Sequence, residues 1–133
     1  MKQEMKTLKL YINEALHVNR NTKIQTYNYH PKTKEELNKL IDKLIKERGF
    51  NADLNDIDTS EITDMTGMFY RSKFNGDISE WDVSNVYNMR DMFMFSEFNG
   101  DISKWNVSNV KDMRDTFYGS PLQNNPPKWY KKQ

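Results

Sequence analysis

The chain of 133 residues contains no cysteine, which removes disulfides, thiolate nucleophiles and every Cys-ligated zinc or iron–sulfur site at once. Its only histidines are His17 and His30. No glycine-rich phosphate loop occurs, and no Ser or Thr can be paired with a base. The sequence therefore predicts neither catalysis nor a cofactor. No apolar run approaches the roughly 18 residues that a membrane span needs, and the N-terminus lacks the apolar core of a secretory signal. What the chain has in excess is rings: seven Phe, seven Tyr and three Trp, beside eight Met. A core of aromatics and methionine is implied, with one domain as the expected size.

The net charge of +1 hides an asymmetry. Residues 1–50 hold 11 Lys or Arg against 6 Asp or Glu, and residues 51–133 hold 9 against 13. An acidic C-terminal part repels phosphate backbones, so no nucleic-acid partner is expected there.

A duplication dominates the second half. FNGDISEWDVSNVYNMRDMFMFSE at 74–97 is followed directly by FNGDISKWNVSNVKDMRDTFYGSP at 98–121, identical at 16 of 24 positions. Stepping back by 24 aligns Phe50 with Phe74, Leu54 with Ile78, Ile57 with Trp81 and Met65 with Met89, so residues 50–73 form a degenerate first copy. Stepping forward aligns Leu122 with Phe98 and Trp129 with Trp105, giving a partial copy over 122–130. Repeats of this length bury their apolar sides against one another in a solenoid. Residues 1–30 read as an amphipathic helix (4–18) and an extended segment (23–29). Residues 31–49 read as a capping helix, with Thr33 and Glu36 as its capping box, Leu37, Leu40, Ile41, Leu44 and Ile45 as its apolar stripe, and Gly49 as its C-terminal stop.

Within one repeat, Trp81 and Val83 follow the period of a short strand with one buried face. Ser84 and Asn85 are good helix N-caps, and Val86, Met89, Met92 and Phe93 have the spacing of a short helix. Asn75-Gly76 and Asn99-Gly100 are taken to supply positive backbone angles that return the chain. The fold class predicted from these units is α/β, a short solenoid with a small parallel sheet and short helices, capped by N-terminal helices.

The motif F-N-G-D-I-S-x-W-D-V-S-N-V-x-x-M-x-x-M-F, carried by Trp81, Val83 to Val86, Met89 and Met92-Phe93 and again by Trp105, Val107 to Val110, Met113 and Phe117, resembles the short leucine-rich repeat of BspA-like bacterial surface proteins over about residues 50–130. Thr116 departs from the second Met column, and Ile57 and Thr59 replace Trp and Val in the first copy. The resemblance implies a surface protein that works by adhesion and binding. The segment Met5 to Leu16 is similar to the leaders of T-even-type phage proteins, cut after Ile/Leu-x-Glu; the corresponding cut here lies between Glu14 and Ala15.

Asp53, Asn55, Asp56 and Asp58 crowd like a calcium loop, but the glycine and the closing glutamate of an EF-hand are missing. Asp53 aligns with Asp77 and Asp101, and Asp58 with Asp82, so these side chains are expected to be turn acceptors and no metal is expected. Met65, Met68, Met89, Met92 and Met113 fall on core columns, Met94 outside them. The outward column Asp58, Glu80, Asp82, Lys104 and Asn106 is the expected binding face. Two readings follow: a non-catalytic module binding a protein partner or a glycan, or a phage or virion component. The lack of an export signal favours a cytoplasmic or virion-associated chain over an exported one.

Overall fold

The computed structural model describes residues 26–133. The amphipathic helix expected at 4–18, the cleavage point Glu14–Ala15 and His17 lie outside the described residues.

Helix α1 spans Lys34–Arg48, as its capping signals require. The Thr33 hydroxyl accepts from the Glu36 amide, and the Glu36 carboxylate accepts from the Lys32 amide. At the other end Gly49 takes φ 93 and its N–H closes on the Ile45 carbonyl. Leu37, Ile41 and Leu44 are buried, with Leu40 and Ile45 partly so.

The expected α/β solenoid is not what the chain builds. Among the described residues there is no strand and no sheet, only α1 and a 3-10 turn at Pro121–Gln123. Strand-like pairing is limited to single parallel bridges, Asp53 with Asp77, Asp64 with Asn88 and Asn88 with Asp112 between copies, and Tyr29 with Ile57 ahead of them. Residues 26–29 of the expected extended segment form no strand and meet the first copy through that last bridge and the Asn28 contacts with Asp56.

The physical reason lies in where each amide goes. At the position read as a strand, the Trp81 N–H closes a turn on Ile78, and the Val86 N–H closes another on Val83. The carbonyl of the preceding copy that a sheet would use is taken by a side chain instead: the Trp81 indole N–H donates to Leu54 at 2.9 Å. Trp105 and Trp129 repeat this on Ile78 and Ile102. Trp81 and Val83 do face inward, but without a backbone ladder.

At the position read as a helix, the amides alternate between two uses. Met92, Met94 and Ser96 donate three residues back, to Met89, Asp91 and Phe93. Met89, Asp91, Phe93 and Phe95 donate to the next copy, to Asp112, Arg114, Thr116 and Tyr118, at 2.8–3.0 Å. Met65, Gly67, Phe69 and Arg71 do the same one copy earlier, onto Asn88, Arg90, Met92 and Met94. An α-helix needs those amides for its own carbonyls four residues back, so the ladder between copies displaces it. The turns demand left-handed backbone at Asp91 (φ 58), Phe95 (φ 57), Arg71 (φ 55) and Asp115 (φ 54), and at Gly67 and Gly119. Each non-glycine residue there costs about 1–2 kcal/mol, which the ladder must offset.

Gly76 and Gly100 are not the residues with positive angles. They are required for space: a Cβ on Gly76 would sit 1.9 Å from the Ala52 carbonyl oxygen, and one on Gly100 2.7 Å from the Phe98 ring.

The core is the stack of equivalent side chains. Phe69, Phe93 and Phe117 lie ring over ring at 5.4 and 5.6 Å, and Phe74 lies over Phe98 at 6.1 Å. Met65, Met68, Met89, Met92 and Met113 are buried among them, and Met94 is only half-buried. Thr116 keeps its place in the second Met column by donating its hydroxyl to the Met89 and Met113 carbonyls. Trp129 stacks on Trp105 at 6.2 Å, so the partial last copy closes the core.

Trp81→Phe is expected to keep an aromatic ring in the core, smaller than the indole, and to leave the Leu54 carbonyl without its donor. A loss of about 1–3 kcal/mol should appear in urea unfolding, with the midpoint shifted and the slope unchanged.

Candidate functional site

Three columns of Asx residues run along the stack. Asp53, Asp77 and Asp101 form one; Asp58, Asp82 and Asn106 the second; Asp64, Asn88 and Asp112 the third. In each column the side-chain oxygen accepts the amide two residues on, as in Asp77 with Ser79, Asp82 with Ser84 and Asn88 with Arg90. Such Asx turns bend the chain at fixed points, so each winding has three corners. The acidic cluster at 53–58 is thereby assigned a structural part. Among the described residues no three His, Cys, Asp or Glu side chains converge as a metal would need.

This geometry divides the column expected to be the binding face. Asp58, Asp82 and Asn106 hold a corner, and Asp58 also faces the His30 ring at 3.4 Å. Burial pushes the Asp58 carboxyl up, but hydrogen bonds from Ser60 and His30 leave it below the ordinary value. Glu80 and Lys104 are exposed, and with Ser79 and Asp101 they line a shallow 160 Å³ recess. Glu80's backbone N–H is tied to the Asn55 side chain.

The first winding has its own anchor. Arg48, at the end of α1, forms a two-pronged pair with Asp56, both contacts 2.9 Å, and donates to the Asp53 carbonyl at 3.0 Å. Asn28 meets the same carboxylate from the other side. The Arg48 hydrogen bond is the largest influence on Asp56 and holds its carboxyl below the ordinary range. This pair fixes α1 to the stack and leaves no charge over for chemistry.

A second surface was not expected from the sequence. Tyr70, Phe95 and Tyr118 are exposed by 46, 42 and 50% and lie in a row across three windings. Their ring centroids are 6.4 and 5.5 Å apart. The Arg71 guanidinium sits 5.4 Å from both the Tyr70 and Phe95 rings, and its Nε–H donates to the Tyr70 hydroxyl. Phe95 is seated against Gly119, where any Cβ would enter its ring at 2.3 Å. The signal in the sequence was an excess: Tyr70 and Tyr118 are aligned copies, and neither belongs to a core column.

Residues 35–133 match the family described as Mycoplasma protein of unknown function, DUF285. The chain belongs to this family. No curated protein and no solved structure matches it. The DUF285 match begins within α1 and runs through every winding, so the stack and its helical cap belong to the family region as a whole. Among the described residues no helix is long and apolar enough to cross a membrane.

The charged corners carry a pH dependence. Asp112 is held down from 3.8 to about 2, chiefly by the Arg114 hydrogen bond, which includes a 2.8 Å contact between Nη2 and Oδ2. A carboxylate depressed on folding stabilises the native state above its unfolded pKa, and that stabilisation is lost as the pH falls through the folded one. Arg114→Ala should therefore lower Tm at pH 5 while leaving it almost unchanged at pH 2, so that the wild type loses more between these pH values than the variant. Thermal melts by circular dichroism read this, and an equal loss in both proteins would rule out Asp112 as the source.

Proposed function

We propose that the chain is a non-catalytic binding module of the BspA-like surface-protein kind, engaging a protein partner through the side of its stacked windings. The observation that carries this reading is the row Tyr70, Arg71, Phe95 and Tyr118. Tyrosine and arginine are the residues most enriched where truncation costs a protein interface most, and contiguous exposed rings are uncommon on a surface with no partner. The row crosses three windings, so its spacing is set by the repeat and not by a loop.

Membership of the DUF285 family and the likeness of the repeat to BspA-like proteins support the same reading. The recess between Glu80 and Lys104 offers a second, polar surface suited to a glycan. The two are separable because they lie on different columns of the repeat.

Two variants assign the face. Tyr70→Ser, Phe95→Ser and Tyr118→Ser combined should reduce affinity for a protein captured from cell-surface extracts by about 100-fold or more, the scale of two interface hot spots. Glu80→Lys with Asp82→Lys should leave that affinity near wild type. Surface plasmon resonance with both folded variants measures it. Loss of binding only in the charge-reversed variant would move the site to the Glu80 face, and glycan-array binding with no protein captured would replace the protein partner.

A further inference from the structure

The ladder that joins the windings is directional. In each of the first two copies four amides, at every second residue, donate to the copy that follows: Met65, Gly67, Phe69 and Arg71, then Met89, Asp91, Phe93 and Phe95. The equivalent amides of the third copy are Met113, Asp115, Phe117 and Gly119. Among the described residues no further copy lies over them, and two side chains stand in its place. The Met113 N–H donates to the Gln133 side-chain carbonyl at 2.9 Å, and the Gly119 N–H to the Gln123 side-chain carbonyl at 2.7 Å. The inner two amides, of Asp115 and Phe117, have no acceptor among the described residues. They border a 390 Å³ groove walled by Phe117, Tyr118, Tyr130, Lys132 and the two glutamines.

We propose that this groove takes an acidic peptide segment of a partner protein, turned as residues 88–94 are, whose alternate carbonyls accept from Asp115 and Phe117. The inference rests on the protein-binding reading and specifies how the partner is held. The two glutamine carbonyls mark the ladder's outer positions and show that an amide carbonyl is the group that fits there. Adding a peptide to an open backbone edge gives affinity through main-chain hydrogen bonds and specificity through side-chain pockets. Parallel bridges between the windings set the direction of the added segment. Charge sets its sign. Residues 122–133 carry Lys128, Lys131 and Lys132 and no acidic residue, and Asp115 is the single acid on the groove wall.

The probe is a synthetic peptide of residues 88–97, whose carbonyls fill these positions for the first winding, preceded by three glutamates. Amide hydrogen exchange of the full chain is followed by NMR with and without peptide. At saturation the Asp115 and Phe117 amides should exchange about 10-fold more slowly or better, and Lys132→Glu should weaken binding about 10-fold. A scrambled proline-containing peptide should do neither. Exchange at Asp115 and Phe117 that is already slow in the free chain would overturn the proposal, because the donors would then be filled from within. Peptide binding without change at these two amides, or no binding at millimolar peptide, would overturn it too. Partner capture that depends on Tyr70 and Phe95 while Asp115 and Phe117 stay unaffected would sink this proposal and leave the interaction reading intact.

Discussion

The rung from an amide in one winding to a carbonyl in the next is the constraint on which the rest depends. It recurs at every second residue from Met65 to Arg71 and from Met89 to Phe95. Every second amide of these stretches is thereby committed outward, and those between close locally, on an Asx side chain two residues back at Thr66 and Arg90 and on carbonyls three residues back at Met68, Tyr70, Met92 and Met94. That division excludes an α-helix, which commits every amide four residues back, and it excludes a sheet, whose strands have no turns to close. The left-handed residues at 71, 91, 95 and 115 are its steric consequence. The rungs also set the pitch, so Phe69, Phe93 and Phe117 stack nearly parallel, with interplanar angles of 2° and 9°.

The period, the core columns and the capping helix could be read from the sequence because burial depends on which residues return to the same place. Trp81, Val83, Val86, Met89, Met92 and Phe93 are buried, as their repetition demands. The elements could not be read from that spacing. A β-turn brings residue i+3 back beside residue i, and a helix does nearly the same, so Val86, Met89 and Met92 fit both. The residues that decide between them are polar. Asn88 and Asp112 sit inside the expected helices and form Asx turns there, and Gly67 and Gly119 mark columns where left-handed backbone is needed. Similarly, Trp-x-Val alternates like a strand, but alternation says nothing of whether the indole N–H will take the carbonyl that a neighbouring strand would need.

The same competition shaped the candidate surfaces. Aspartates that repeat at 24-residue spacing look like a functional row, yet a repeated corner needs a repeated acceptor, and Asp58, Asp77, Asp82 and Asp101 serve that need. Aromatics that repeat outside the core have no such structural task. Tyr70 and Tyr118 leave about half their surface exposed, and Arg71 is positioned between Tyr70 and Phe95 at equal distance from both rings. Residues that recur for folding are those whose polar atoms are already engaged by the backbone. Residues left over once the turns and core are accounted for are where recognition can reside.

The two ends of a directional ladder pose different problems. At the α1 end the first winding presents carbonyls, and those of Thr66 and Met68 have no donor among the described residues. A carbonyl carries two lone pairs and is left under-satisfied more readily than an N–H, so that end can be closed by the apolar face of α1 and the Arg48–Asp56 pair. At the far end the third winding presents amides, which are left unpaired more rarely than carbonyls. There the chain supplies carbonyls from glutamine side chains, at Gln123 and Gln133, and uses the Trp129 indole to hold the closing segment onto Ile102. The polarity of the rungs therefore lets an apolar cap serve at one end of the described stack, while the other end draws on acceptors, supplied at its two outer positions.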